Sequence, residues 1–188
     1  QVFVFAMLFV VGAFTGCVDE DDDDKTTTDN TIKIGFLNPI TGPLEPDAPG
    51  FKWGADQAIS DLAKMYPDET FELVELDSGC SGDVAGPAAQ TLVDSGVVAV
   101  VGAACSGASM SANAVLAAAG IPMISYASTN PGLSDEAKYP HFYRNVPSDA
   151  IQGPAGAAMM ADAGVTNESW AILHMTNDYG SGLADSIK

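Results

Sequence analysis

The segment from residue 97 to residue 134, VVAVVGAACSGASMSANAVLAAAGIPMISYASTNPGLS, constrains the fold more than any other part of the chain. Residues 97–101 are apolar and β-branched between Gly96 and Gly102, the pattern of a strand buried on both faces. Ser106 or Ser109 can cap an Ala-rich helix that runs to Gly120, a residue suited to the left-handed position after a helix. A second apolar strand follows at 121–126, and the turn Ala127-Ser128-Thr129-Asn130-Pro131 stops it. A strand–helix–strand unit with short connections forms parallel neighbours. Both polar turns, 105–109 and 127–130, then lie at the carboxyl edge of one sheet, where open α/β sheets take their ligands. The helix start beside Ser106 offers unpaired N–H groups to a carboxylate or phosphate. The plainer reading is that these Ser and Thr residues only cap and turn.

The rest of the chain repeats the alternation. Residues 31–38 (TIKIGFLN) form the first strand, and four prolines from Pro39 to Pro49 keep the next loop out of a helix. Residues 51–66 carry apolar side chains at helical spacing. A second strand is expected at 71–77, a helix capped by Asp83 through Val93, and a short fifth strand at 141–146. The order β-α-β-α-β-α-β reads as a doubly wound parallel α/β sheet, a first lobe over residues 31–146. Residues 147–188 restart the pattern: Ser148 caps a helix to about Asp162, in which Pro154 must bend or delay the chain. A buried strand at 170–175, a turn at 177–180 and a further helix complete this beginning of a second lobe, which stops mid-fold.

The N-terminal end reads differently. Residues 2–14 form an apolar run of signal-peptide length, too short for an ordinary membrane span. It leads into Phe14-Thr15-Gly16-Cys17, which resembles the lipobox of bacterial lipoproteins, with Phe14 where Leu is usual. Residues 1–17 are therefore expected to be a clipped signal peptide with Cys17 lipidated, the alternatives being a truncated anchor or an uncleaved signal. Residues 18–30 hold seven acidic residues and one Lys and read as a linker. The whole chain has a net charge of −18 with only seven Lys and Arg. That leaves no basic footprint for nucleic acid.

Of the three cysteines, Cys80 and Cys105 each follow a predicted strand. Neighbouring strand ends are close enough for a disulfide, which an oxidising compartment favours. Two free thiols or a metal pair are the alternatives. The two histidines, His141 and His174, stand in no nucleophile or metal motif, His174 inside the strand pattern WAILHM. No enzyme, cofactor or metal is expected on that ground. Asn167-Glu168-Ser169 has the form of a glycosylation sequon and reads as a plain loop.

Several stretches together carry a family likeness: IKIGFLNPITGP, the turn from Asp77 to Cys80, VVGAACS, GIPMISYASTNPGLS, the Gln152-Gly153-Pro154 helix and NDYGSGLA. From Ile32 to Lys188 the chain resembles the substrate-binding lipoproteins of branched-chain amino-acid ABC importers, which have the type I periplasmic-binding-protein fold. The resemblance implies a Cys80–Cys105 disulfide and no catalytic role. It implies that the Ser106 hydroxyl and the Thr129 amide bind a ligand carboxylate. The Thr129 hydroxyl and the Ala127 carbonyl would accept from its ammonium, with Ser128 in the same turn. Tyr179 would close over the ligand from the second lobe. Where members often place an aromatic residue after the first strand, this chain has Leu44-Glu45-Pro46-Asp47. Tyr126, standing where leucine-binding members have proline, either supplies that wall or is a core aromatic. The implied partners are a membrane permease and an anchor through Cys17, outside the cytoplasm. A ligand-sensing receptor ectodomain, or a site for an amide, urea-type or short peptide ligand, is the alternative.

Overall fold

The computed structural model describes residues 31–165 and 170–188. The expected signal peptide, Cys17, the acidic linker and the sequon at 167–169 lie outside the described residues. Five strands form one sheet: β1 (Thr31–Asn38), β2 (Thr70–Asp77), β3 (Ala99–Gly102), β4 (Met123–Ser125) and β5 (Phe142–Arg144). All neighbours are parallel and the order is β2-β1-β3-β4-β5. The order reverses direction between β1 and β3, so the helices that link the strands are sent to opposite faces. This is the doubly wound α/β fold expected from the alternation.

Helices α1 (Ala48–Met65), α2 (Gly82–Asp94) and α3 (Ser106–Ala118) connect the strands. The alternation of side chains along a strand divides the two faces. Leu37, Val100 and Met123 point into a core closed by Ala85, Ala89 and Leu92 of α2 and by Ala108, Ala112 and Leu116 of α3. Alanine at these helix positions lets α2, α3 and the sheet approach closely. On the other face, Ile34, Phe36 and Val101 look toward Phe51, Ile59 and Leu62 of α1 across an apolar cavity of about 520 Å³.

Helix α1 begins at Ala48, three residues before the expected start. Pro49 falls in its first turn, where a missing N–H is harmless. Helix α2 is capped by the Ser81 hydroxyl, which accepts from the Asp83 amide. Asp83 is thus a first-turn acid rather than the cap. Neither Ser106 nor Ser109 caps α3: Cys105 holds the N-cap position without a side-chain bond, and Ser106 is the first helical residue. Gly120 is left-handed just after the helix, as expected.

Beyond β5, α4 (Asp149–Asp162) is capped by Ser148 and packs on α5 (Asp178–Ile187), which is capped by Asn177. Pro154 does not delay α4; it removes one bond in the second turn, where a Cβ on Gly153 would meet the backbone of Ser186 in α5. The turn expected at 177–180 is already the first turn of α5. The strand expected at 170–175 is absent. That segment pairs with no strand among the described residues, Leu173 is 98 % exposed and His174 is exposed. Apolar spacing marks a segment able to pair, but a strand exists only with a partner edge.

Candidate functional site

A cavity of about 640 Å³ opens at the carboxyl edge of the sheet, the position the strand order marks out. Four of the loops that leave that edge contribute: Leu44 after β1, Cys80 after β2, Ser106 after β3 and Thr129 after β4, with Tyr179 of α5 opposite. The tight turn after β2 has Gly79 and Cys80 both left-handed. It delivers Cys80 to Cys105 as a disulfide with Cα atoms 5.1 Å apart. Closing 25 residues in this way contributes roughly 3–4 kcal/mol in the chain-entropy model. It also ties the start of α3 to the neighbouring strand tip.

The start of α3 faces the cavity through Cys105, Ser106 and Gly107, with no side chain capping it. Its N–H groups and the positive end of the helix dipole are therefore directed at the cavity. Ser106 is 2 % exposed and its hydroxyl oxygen accepts from the Asn130 amide at 3.2 Å. Its own proton remains to be donated. Across the cavity, the Thr129 hydroxyl donates to Oδ2 of the buried Asp149 at 2.8 Å, and the Thr129 carbonyl accepts from the Asp149 amide at 2.9 Å. The Arg144 guanidinium donates to the carbonyls on either side, Ser128 at 3.4 Å and Asn130 at 2.9 Å, and to the Ser134 hydroxyl. Burial pulls the Arg144 guanidinium below its ordinary value, and the charge of Asp149 pushes it back up.

Of the sequence-predicted residues, the structure brings Ser106, Ala127, Thr129 and Tyr179 to one cavity. Two others are placed elsewhere. Ser128 is fully buried: its hydroxyl serves the carbonyls of Ala103 and Ala104, both at 3.1 Å, and pairs with Ser109 at 2.8 Å. Ser125 adds a bond to the Ala103 carbonyl at 2.6 Å. The backbone leaving β3 would otherwise bury unpaired carbonyls, so serines from α3 and β4 are drawn inward. Tyr126 lies in the other cavity, under α1. Its ring is 4.9 Å from that of Phe51 and its hydroxyl donates to the Leu37 carbonyl at 3.2 Å. Burial pushes its phenol well above the usual value. The structure thus places it under α1 and not among the residues that line the cavity at the sheet edge.

Residues not expected from the sequence complete the surroundings. Gln152, Met175, Thr176 and Asp178 line the cavity. Asn130 holds the Gly132 amide through Oδ1 and donates from Nδ2 to the Asp178 carbonyl, joining the β4 turn to α5. Asn130 was visible only as a turn residue, and Asp149 only as the neighbour of a helix cap. Asp178 carries the one carboxylate among the described lining residues, which include no Lys, Arg or His. No group of His, Cys, Asp or Glu suited to a metal ion is found among the described residues, and no described helix is long and apolar enough to cross a membrane.

Comparison with known proteins places this geometry in context. A family model described as periplasmic binding protein matches residues 31–188. The leucine-, isoleucine-, valine-, threonine- and alanine-binding protein of Pseudomonas aeruginosa is 30 % identical over 161 residues, 85 % of this chain and 43 % of its own length. The leucine-specific-binding protein of Salmonella typhimurium is 31 % identical over 159 residues, 84 % of this chain and 42 % of its own. The chain thus spans well under half the length of these curated relatives. Among solved structures, an ABC transporter substrate-binding protein of Desulfitobacterium hafniense in complex with Leu is 30 % identical with a TM-score of 0.66, covering 84 % of this chain and 46 % of its own. A branched-chain amino acid transporter substrate-binding protein of Streptococcus pneumoniae in complex with isoleucine is 26 % identical with a TM-score of 0.65, covering 83 % and 45 %.

Proposed function

Because the chain belongs to the periplasmic binding protein family, we propose that it captures an amino acid with an aliphatic side chain outside the cytoplasm and presents it to an ABC importer. The family is one of solute-binding proteins, and the role proposed here is binding without catalysis. The Ser106 hydroxyl and the Thr129 amide take the ligand carboxylate at the positive end of α3. The Ala127 carbonyl and the Thr129 hydroxyl oxygen take its ammonium. Tyr179 closes from the side of α5, and the apolar side chain rests against Pro43, Leu44 and Met175. Charged hydrogen bonds of this kind strengthen when closure excludes water. An anchor through Cys17 and delivery to a permease complete the proposal.

One observation carries it: an uncapped helix start and a carbonyl-and-hydroxyl turn face the same cavity from adjacent loops. A zwitterion needs donors and acceptors so arranged. The absence of Lys, Arg and His among the described lining residues favours a neutral amino acid over an acidic one. Calorimetry on the full-length protein tests this against amino acids, amides and short peptides. L-Leucine or a close analogue should bind, and Ser106→Ala should weaken it by about 1–3 kcal/mol. Unchanged affinity in that variant would reject the assignment.

A sensory role is the second reading. The metabotropic glutamate receptor-like protein E of Dictyostelium discoideum is 30 % identical over 157 residues, 83 % of this chain but 18 % of its own length. The reading frame downstream of Lys188 distinguishes the two, since a receptor of that kind continues into membrane-crossing segments.

A further inference from the structure

Each polar atom of Asn130 is engaged, and the partners come from several elements. Its amide donates to the Ser106 hydroxyl at 3.2 Å, and its carbonyl accepts from the Arg144 guanidinium at 2.9 Å and the Leu133 amide at 3.2 Å. In the side chain, Oδ1 accepts from the Gly132 amide at 2.7 Å while Nδ2 donates to the Asp178 carbonyl in α5. Among the described residues this last bond is the one hydrogen bond that ties α5 to the sheet and its loops. The residue is 8 % exposed although it stands beside an open cavity. Helix α5 comes this close because its second turn carries Gly182: a Cβ there would stand against Asn130 Nδ2 and the Pro131 ring.

We infer that Asn130 is a positioning residue that latches the cavity shut: it holds α5, and with it Tyr179, against the turn whose amide orients the Ser106 hydroxyl. The inference rests on the proposed reading of the cavity as an amino-acid site that closes from the side of α5. A side-chain amide suits the task because it accepts at one end and donates at the other. One end closes its own turn and the other reaches across to α5. Tyr179 follows Asp178 directly, so the bond to the Asp178 carbonyl fixes where that ring stands relative to Ser106. The bond exists only while α5 lies against the turn, and a ligand leaves only when α5 moves off it. Losing the bond raises the fraction of open molecules, and the rate of escape rises with that fraction. Entry starts from the open form, in which the bond is already broken, so arrival is not slowed.

The test measures release of radiolabelled L-leucine from the full-length protein into excess unlabelled L-leucine, with the dissociation constant taken from calorimetry. Two variants break the joint from opposite sides. Asn130→Ser keeps an oxygen for the Gly132 amide, in a residue type that also closes turns, and leaves nothing long enough to reach α5. Gly182→Ala leaves the turn untouched and sets a methyl group against Asn130 Nδ2, in a helix that alanine favours. Release should quicken by about fivefold or more in each. The association rate, which is the release rate divided by the dissociation constant, should not fall. A smaller rise in release overturns the inference, and so does a fall in association, because a residue that merely shapes the turn would damage the site before closure. An effect in Asn130→Ser that Gly182→Ala lacks overturns it too. If Asn130→Ser does not fold, Gly182→Ala decides with the same threshold. A wild-type protein that does not bind L-leucine overturns the amino-acid reading and this inference with it. A wild type that binds L-leucine, with variants that keep its release rate, overturns this inference alone.

Discussion

Tyr126 illustrates how much one side chain's direction decides. It follows β4 by a single residue and precedes Ala127 and Thr129, both of which line the cavity at the carboxyl edge of the sheet. Its own ring nevertheless passes under α1, between Phe51 and Phe36, because successive side chains leaving a strand point to opposite faces. Removing only the hydroxyl therefore separates a structural role from a binding one. Tyr126→Phe leaves the Leu37 carbonyl short of one donor while keeping both ring contacts. It should cost about 1 kcal/mol of stability in urea denaturation and leave ligand affinity where it was. An affinity change beyond about fivefold would return Tyr126 to the site. The same scale shows what the chain's order hides. That Ser106 and Thr129 lie at the carboxyl edge was legible, because each sits just past an apolar strand in a small polar turn, and both line the cavity there. Ser128, one residue from Thr129, looks equivalent in sequence, and the buried carbonyls of Ala103 and Ala104, to which it donates, explain why it turns inward.

At the scale of elements, strand and helix periods were readable, and the loops between them less so. β1 spans the residues its apolar run marks out, and the left-handed Gly120 ends α3 where a residue without Cβ was needed. The 170–175 segment has as good an apolar pattern as β3 and forms no strand, because pairing is a property of two segments and only one was in view. The loops after β1 and β2 are joined by a device with no periodic signature, the carboxylate that ends β2. Asp77 accepts from the Thr41 hydroxyl at 2.6 Å, the Thr41 amide at 3.1 Å and the Gly79 amide at 2.8 Å. Burial raises its pKa, but these bonds outweigh burial and hold it below the usual carboxylate range. A carboxyl depressed in the folded state contributes stability above its unfolded pKa of about 4 and loses it as pH falls through the folded value. Asp77→Asn should therefore lower the urea midpoint at pH 7, and the gap to wild type should close as the pH falls below about 4. A gap that stays constant or widens in acid would show that Asp77 does not hold these loops by its charge.

For the whole molecule the dominant quantity is charge. Twenty-five acidic residues stand against seven Lys and Arg, and setting aside the acidic stretch at 18–30 still leaves about −12. The ion pairs among the described residues do little to offset this, the longest of them, Lys52–Glu75, spanning 4.0 Å from α1 to β2. Lys52–Asp56, Lys64–Asp61 and Lys188–Asp185 are local contacts between neighbouring turns, each with both side chains well exposed. Exposed pairs of this kind contribute about 0–1 kcal/mol each. Self-repulsion of the compact state is then the larger effect, and it acts over distances that salt controls. The screening length falls from about 30 Å at 0.01 M to about 3 Å at 1 M, which removes repulsion between acidic groups across the surface while taking away little from the contact pairs. The melting temperature should rise by several degrees between those two concentrations of NaCl, and by the same amount in KCl, because screening depends on ionic strength and not on the cation. Chloride salts are the right choice, since sulfate would raise stability through apolar burial as well. A melting temperature that falls with salt would mean that the ion pairs outweigh the repulsion. A rise confined to one cation would point to a specific binding site instead of a screened surface.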